Sequence, residues 1–489
     1  MSPAAKQVNP WAALSALCVG FFLIMMDTTI VNVAIPDMLT ELHADLNQIT
    51  WVNSVYLLTY AVPLLIAGRL GDRLGRKPVF LAGMAIFTAA SLWCGLSGSV
   101  EMLVVARAVQ GIGAATMAPQ TMAFITTLFP ADRRGAALGA WGAVAGGATT
   151  VGPLLGGFLV GSLGWQWIFL VNVPIGLIGL VMALRLVPGG QETHSHRFDL
   201  VGTLLSGLGL LALVFGVQNG QQYHWGAVFG PINVVEIIVA GLVLLIAFVV
   251  WQRYNTREPL MPLALFGHRN FSAATVAAAS IGFALTGLYL PLTLFLQSVM
   301  GLSPLQAGVL MVPLAVSAGI VGPFAGTLSD RISGKWVVLT GFLIFAAGIG
   351  LIAVVAGPDT NPWLLGAVLF LCGIGTGTAF APMANVATAD MPGELMGAAS
   401  GFYNVTRQVG SVVGSALVSV LLQARLSASL HSPDATATSN VPPASRPGFA
   451  DAVSTTLLLP VVVLLLGSAA CLAMTSRRKA AEPELARTH

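Results

Sequence analysis

The sequence GRLGDRLGRK occupies residues 68–77, between two long apolar runs. A weaker copy, GTLSDR, occupies residues 326–331, about 260 residues further along the chain. A charged loop that recurs between apolar runs indicates that one membrane-spanning unit is present twice, as in transporters built from parallel repeats. We therefore interpret these two loops as equivalent positions in two halves of the chain.

The composition excludes most classes of soluble protein. Of the 489 residues, 56% are hydrophobic and only 8% are Asp, Glu, Lys or Arg, whereas a typical soluble domain has about 25%. The mean hydropathy is +0.84. The net charge of +3 gives no sign of a nucleic-acid partner. The four cysteines form no CxxC or Cys/His cluster, so we expect no metal and no cofactor.

Long apolar segments predict an all-α polytopic membrane protein, because a membrane span needs about 20 apolar residues. We predict 14 transmembrane helices, numbered 1–14 in the order 14–36, 50–68, 78–98, 102–126, 135–161, 167–187, 200–219, 234–252, 271–297, 304–327, 336–356, 363–388, 396–424 and 450–474. With both termini cytoplasmic, inside segments hold 18 of the 22 basic residues. That bias obeys the positive-inside rule and supports both the count and the orientation.

Further matches extend the repeat beyond the charged loops. The sequence GIG at 111–113 recurs at 373–375, and FPADRRGAALG at 129–139 recurs as MPGELMGAASG at 391–401. These matches predict two six-helix bundles, with spans 7 and 8 inserted between them. The predicted domains are an N-terminal bundle (1–190), a linker with two additional helices (191–265), a C-terminal bundle (266–475) and a cytoplasmic tail (476–489).

Four motifs resemble those of the major facilitator superfamily, and more narrowly those of fourteen-helix drug:proton antiporters of the EmrB/QacA type. They are LIMMDTTIVNVAIP at 23–36, the 68–77 loop, RAVQGIG at 107–113 and GPLLGG at 152–157. The sequence WQWIFLVNVP at 165–174 follows the last motif, as a similar sequence does in that family. The resemblance covers nearly the whole chain and implies the major facilitator fold. It identifies the substrate only weakly.

Asp27 is the only acid that we place deep in a span. A charge there costs roughly 2.5–3.5 kcal/mol on insertion scales, so it is expected to face a cavity or a partner. We predict that Asp27 carries the proton and that Arg107, which the resemblance implicates in proton coupling, is its partner, with Gln110 joining the same network. The alternatives are a structural acid bonded to nearby backbone and an arginine that packs between helices.

Two further sets of residues are predicted to move or seal the halves. The resemblance implies a cytoplasmic gate, formed by Gly68, Asp72, Arg73, Gly75, Arg76, Asp330 and Arg331. Gly152, Pro153, Gly156 and Gly157 remove side chains along one helix face, which favours a hinge that seals against proton leak. A positive cluster that only sets topology, and ordinary close packing, are the respective alternatives.

Helical spacing suggests a substrate pocket of aromatic, Met and amide side chains, which suit bulky and varied compounds. Its predicted members are Asn53, Tyr56, Tyr60, Trp141, Phe283, Tyr289, Met311, Asn385, Tyr403, Asn404 and Arg407. Each could instead serve in packing, and Arg407 could instead be a structural arginine bonded to backbone carbonyls. If Arg407 faces the cavity, it argues against a pocket that accepts only cations.

These observations predict a proton-coupled efflux transporter of a bacterial cytoplasmic (inner) membrane, exporting hydrophobic, cationic compounds by alternating access. Its expected partners are the lipid bilayer, protons and a small hydrophobic substrate, with a functional monomer and an optional periplasmic adaptor. A dedicated exporter of one endogenous metabolite or antibiotic is the first alternative. The second, a membrane sensor or intramembrane enzyme, lacks support because the sequence holds no HExxH, nucleophile elbow or P-loop.

Overall fold

The computed structural model describes residues 9–130, 133–189, 199–220, 222–255, 259–388, 391, 396–430 and 441–475. Its first nine helices are α1 Pro10–Val33, α2 Ile35–Glu41, α3 Leu46–Ala61, α4 Leu64–Leu74, α5 Arg76–Gly95, α6 Val100–Leu128, α7 Arg134–Leu163, α8 Trp167–Leu170 and α9 Asn172–Leu186. The inserted segment comprises α10 Leu200–Asn219, the antiparallel strands β1 Ala227–Phe229 and β2 Ile232–Asn233, and α11 Val234–Tyr254.

The second half follows a 3₁₀ turn at Leu263–Gly267. Its helices are α12 Arg269–Leu294, continued by a π-helical turn at Phe295–Val299, α13 Pro304–Arg331, α14 Gly334–Val355, α15 Pro362–Thr388, α16 Met396–Leu430 and, after a 3₁₀ turn at Pro443–Ser445, α17 Arg446–Ala473. The predicted tail, 476–489, lies outside the described residues.

Several helices begin at a residue whose side chain accepts a hydrogen bond from a free backbone N–H group. Asp45 accepts a hydrogen bond from the backbone of Gln48, whose side chain binds back to Asp45, and this capping box starts α3. Ser303 and Gln306 form the same box at the start of α13. Both boxes lie on the ends that the sequence predicts to face outward.

Twelve helices in the described part of the chain are long and apolar enough to cross a membrane. The other two predicted spans, 50–68 and 135–161, fall short for different reasons. The first is divided into α3 and α4 at Val62-Pro63, because proline has no N–H to continue the helical hydrogen bonds. The second lies in the 30-residue helix α7, in which several side chains between 134 and 150 lie outside the described part of the structure.

Helix packing repeats between the two halves. In the first half α5 packs on α6, α3 on α6, α1 on α7 and α5 on α9. In the second half α14 packs on α15, α13 on α15, α12 on α16 and α14 on α17, in the same order. The internal repeat in the sequence therefore corresponds to a repeated set of helix contacts.

The inserted helices α10 and α11 pack on each other, and α10 also contacts α3 and α16. Buried amides attach α10 to the first half: Asn47 donates to the Asn219 side chain at 2.9 Å, and Gln218 donates to the Thr50 hydroxyl at 3.1 Å. Most large apolar side chains of α11 are exposed. The insertion thus lies at the periphery, beside the seam between α3 and α16.

Candidate functional site

The carboxylate of Asp27 lies at the centre of a polar network inside the first half. Asp27 is fully buried in α1 and forms an ion pair with the equally buried Arg107 of α6. The other carboxylate oxygen accepts hydrogen bonds from Gln110 at 2.9 Å and from Asn172 of α9 at 3.2 Å. All three groups around the carboxylate are donors, which suits its ionised form.

Arg107 is held by more than the carboxylate. Its Nε donates to the Val52 carbonyl of α3 at 3.1 Å. Its guanidinium carbon lies 4.0 Å from the centre of the Tyr56 ring and 5.6 Å from that of Phe169. Cation–π contacts stabilise a guanidinium where water is excluded. The arginine therefore links α1, α3, α6 and the short helix α8.

Gln110 connects the ion pair to α5. Its Oε1 accepts from Arg107 at 2.7 Å, and its Nε2 donates to both the Asp27 carboxylate and the Ser91 hydroxyl at 2.9 Å. An amide placed in this way holds the Asp27 carboxylate and the Arg107 guanidinium in a fixed relative position. Three buried polar atoms next to the network have no partner in the described structure: Arg107 Nη2, Asn172 Oδ1 and the Tyr56 hydroxyl.

The predicted inner gate is anchored to α6. The Gln120 amide donates to the Ala67 carbonyl at 2.6 Å, and Arg76 donates to the Ala123 carbonyl at 2.9 Å. Gly75 has a φ of +92°, a conformation that favours glycine, and it joins α4 to α5. Arg73 is exposed and Gly68 faces Pro119. The side chains of Asp72, Asp330 and Arg331 lie outside the described part of the structure.

The predicted hinge lies where α7 touches both α1 and α13. A Cβ on Gly152 would meet the Thr29 hydroxyl at 2.0 Å, and one on Gly156 would meet Ile30 at 2.8 Å, both in α1. A Cβ on Gly157 would lie 2.4 Å from the carbonyl oxygen of Pro304. The glycines therefore allow one helix to pack on its own half and on the other half at once.

A second contact between the halves joins α3 to α16. The hydroxyls of Ser54 and Ser415 are 3.1 Å apart and buried. A small cleft beside them is lined by Asn32, Thr50, Asn53, Thr286 and Ser415. Like the contact between α7 and α13, this contact lies toward the predicted outer end.

The predicted pocket residues do not form one surface. Tyr56 belongs to the Arg107 network, and Trp141 stacks on Phe21 with ring centres 4.2 Å apart. Phe283 is buried against Gly414, and Met311 and Tyr289 belong to the apolar core, whereas Asn385 is exposed. Tyr60 belongs to an apolar cluster that Val405 and Val409 of α16 pack against. Tyr403, Asn404 and Arg407 lie within one turn or so of each other in that same helix.

Two members of the network were not singled out from the sequence. Asn172 lies in the WQWIFLVNVP motif at 165–174, so the motif was a signal for it, but nothing in the sequence pointed from Asn172 to Asp27. Ser91 lies in an apolar helix without a motif. Both are recognised only by their distances to Gln110 and Asp27.

Comparison with known proteins agrees with this fold. Residues 17–415 match the Major Facilitator Superfamily. The chain is 44% identical over 474 residues to an uncharacterized MFS-type transporter of Mycobacterium tuberculosis, covering 95% of this chain and 81% of that protein. It is 33% identical to the tetracenomycin C resistance and export protein of Streptomyces glaucescens, covering 89% and 79%. Other relatives are named multidrug or antibiotic resistance proteins.

Among solved structures, a bacterial homologue of the human lysosomal transporter Spinster, in an inward-facing and unoccupied conformation, matches with a TM-score of 0.66. The match covers 96% of this chain and 98% of that chain at 18% identity, so it supports the fold alone. The matching proteins are transporters and not enzymes. This membrane-embedded chain belongs to the major facilitator superfamily.

Proposed function

We propose that this protein is a drug:proton antiporter of the fourteen-span EmrB/QacA type, which exports hydrophobic compounds across a bacterial cytoplasmic membrane. In this proposal α3 with α4, and α7, supply the two spans beyond the twelve counted above, and both termini are cytoplasmic. The names of the relatives, which include resistance and export proteins, support export. The buried Asp27–Arg107 pair is the observation that carries proton coupling.

The ion pair offers a physical route from helix movement to proton transfer. While Arg107 contacts Asp27, the carboxylate is compensated and fully hydrogen-bonded. If α1 and α6 move apart, a lone carboxylate remains in a poorly solvated interior. An unpaired buried charge is costly, so the carboxylate takes up a proton. When the helices return, Arg107 displaces that proton.

The contacts between the halves support alternating access. Ser54 with Ser415, and Gly157 with Pro304, join the halves toward the predicted outer end. In our proposal these contacts close the outer gate, the glycines of α7 permit rocking, and the 68–77 loop closes the inner side in the opposite state. The protein acts as a monomer in this scheme.

The driving force is sufficient for concentrative export. One proton that crosses 100 mV and one pH unit supplies about 3.7 kcal/mol. For a neutral compound, this free energy supports a gradient of several hundredfold per proton. A dedicated exporter of one endogenous compound is the alternative function, and the tetracenomycin C resistance and export protein among the relatives favours it.

Proteoliposomes test proton coupling directly. Purified protein is reconstituted in a weakly buffered medium, and proton movement is followed with a pH electrode after ethidium, rhodamine 123 or fluorescein is added separately. We expect dye-dependent proton flux in the wild type and its loss in Asp27→Asn. The matched control is Asp451→Asn, an exposed acid of α17. Full coupled export by Asp27→Asn would refute the assigned role of Asp27.

A further inference from the structure

Arg407 is a charged side chain in a membrane helix, and none of the residues that the structure describes serves as its counterion. It lies in α16 and is half-buried. Its side chain forms neither an ion pair nor a hydrogen bond with any described residue. Among the described residues, the Phe380 ring of α15 packs beside it, with its centre 5.9 Å from the guanidinium carbon. Arg107, which also lies deep within a predicted span, is in contrast paired with Asp27.

The surroundings place Arg407 between the two halves. Its backbone packs on α12, where a Cβ on Gly282 would lie 2.2 Å from the Arg407 carbonyl oxygen. The neighbouring Val405 and Val409 of α16 pack against the apolar cluster of the first half that contains Tyr60 of α3, and Tyr403 lies one turn before Arg407 in the same helix. Arg407 therefore lies beside the Phe380 ring of its own half, on a helix stretch that packs against the first half.

Position along the helix places this site well inside the membrane. Arg407 lies eight residues before Ser415, the residue that joins α16 to α3. Eight residues of α-helix correspond to about 12 Å. The guanidinium thus lies on the inner side of the outer contact, in the region where alternating access requires a substrate to bind.

The charges in this region favour an acidic ligand over a cation. Asp27 is buried and compensated, so in this conformation it offers no free carboxylate to a cation. Arg407 offers an uncompensated guanidinium, and intramembrane charges normally find a partner or water. A planar guanidinium binds a carboxylate or phenolate through paired hydrogen bonds, and it also stacks on aromatic rings.

We propose that Arg407 binds the acidic group of the exported compound, so that aromatic acids, and not the expected cations, are the preferred substrates. Phe380, Tyr60 and Tyr403 contact the ring system, and the buried Tyr403 hydroxyl, which has no partner in the described structure, adds a hydrogen bond. This inference rests on the proposed export function. If one proton enters for each monoanion that leaves, two charges move in the direction that an inside-negative potential favours.

A pair of dyes with one shape and opposite charge tests the inference. Fluorescein and rhodamine 123 share a xanthene ring system, but fluorescein is anionic and rhodamine 123 is cationic. Binding to purified protein in lipid nanodiscs is measured by fluorescence polarisation, which requires no transport. We expect the wild type to bind fluorescein at least tenfold more tightly than rhodamine 123.

Variants of α16 separate charge recognition from a structural role. Arg407→Gln should weaken fluorescein binding at least tenfold, as expected when a hydrogen bond to a charged group is lost, and should change rhodamine 123 binding less than twofold. Arg407→Lys should retain part of the affinity for fluorescein. The matched control is Arg425→Gln, at an exposed position of the same helix. Thermal unfolding of each variant identifies loss of folding.

Several outcomes would overturn the inference. They are tighter binding of rhodamine 123 than of fluorescein by the wild type, no binding of either dye, and unchanged fluorescein binding by Arg407→Gln. None of these results bears on proton flux through Asp27, so they leave the proposed antiport intact. Conversely, acid binding without proton flux would refute antiport while supporting the role of Arg407.

Discussion

The two halves pack their helices with the same glycine contacts but fill the equivalent interiors with opposite chemistry. A Cβ on Gly83 would lie 2.9 Å from the Gly113 carbonyl oxygen, and a Cβ on Gly341 would lie 2.8 Å from that of Gly375. Counting along the helices from these matched contacts, the positions of Arg107, Gln110 and Ser91 correspond to Leu369, Cys372 and Ile349. Those three second-half side chains are fully buried in an apolar cluster.

This difference distinguishes the glycine contacts, which hold the helices together in both halves, from the polar network, which is present in one half only. Close glycine contacts bring helix backbones together in both halves, whether the neighbouring side chains are charged or apolar. A buried ion pair is often no more stabilising than apolar residues of similar volume. The polar network of the first half therefore supports the proposed role in proton coupling.

The largest effect is expected when Arg107 is replaced by leucine, the residue at the equivalent position of the second half. Arg107→Leu leaves Asp27 buried without its cation, which should cost about 3–5 kcal/mol of stability. The double variant Asp27→Leu/Arg107→Leu removes both charges and should recover most of that loss while remaining inactive in transport. Thermal unfolding in detergent measures both effects. Equal destabilisation by the single and double variants would contradict the claim that the loss of stability comes from an unpaired buried charge.

A smaller effect should be shared by both halves. Gly113→Ala and Gly375→Ala place a methyl group 2.6 Å and 2.5 Å, respectively, from a backbone nitrogen of the neighbouring helix. Overpacking of this kind typically costs about 1–3 kcal/mol. Gly319→Ala is the control, because a Cβ there meets nothing within 4 Å. Unfolding measurements should give similar losses for the first two variants; a loss in one half only would show that the scaffolds differ.

The smallest effect is expected at Asp199, an acid that is held by hydrogen bonds and not by an arginine. Asp199 lies outside the membrane spans, at the start of α10, and accepts hydrogen bonds from the Gly202 amide, Trp251 and Gln252. Burial raises the pKa of its carboxyl, but these hydrogen bonds outweigh burial and lower the pKa below its ordinary value. Asp199→Asn keeps an oxygen that caps α10 but replaces the acceptor for Gln252 with an NH2 group, so it should cost about 1 kcal/mol at pH 7, the net value of one hydrogen bond.

The pH dependence of that loss follows from the sign of the pKa shift. A folded-state pKa below the unfolded value of about 3.9 means that the carboxylate stabilises the fold above pH 4. This stabilisation disappears as the pH falls through the folded-state pKa. Unfolding of the wild type and of Asp199→Asn should therefore converge in acid. A difference that persists there would assign the effect to packing and not to charge.

The pairing of Asp27 with Arg107 could be predicted from the sequence, because charged side chains deep in a membrane pair with charges of opposite sign. Superfamily membership is confirmed, and twelve of the predicted spans have helices of sufficient length and hydropathy. The substrate pocket was harder to predict from the sequence. Helical spacing grouped Tyr56 with Tyr60, and their ring centres are 6.1 Å apart. The spacing did not indicate that Tyr56 also contacts Arg107 or that Trp141 stacks on Phe21.

The sequence by itself determined the class of protein, the repeated architecture and the residues that could carry charge, because hydropathy, charge and motif order are properties of the chain. Only the tertiary structure decided which of those residues meet. Asp27, Arg107 and Asn172 belong to three helices, and their contact depends on how each helix is rotated and how closely glycines allow it to approach. The same geometry left Arg407 without a counterion, because no acid of the described structure reaches it between the halves.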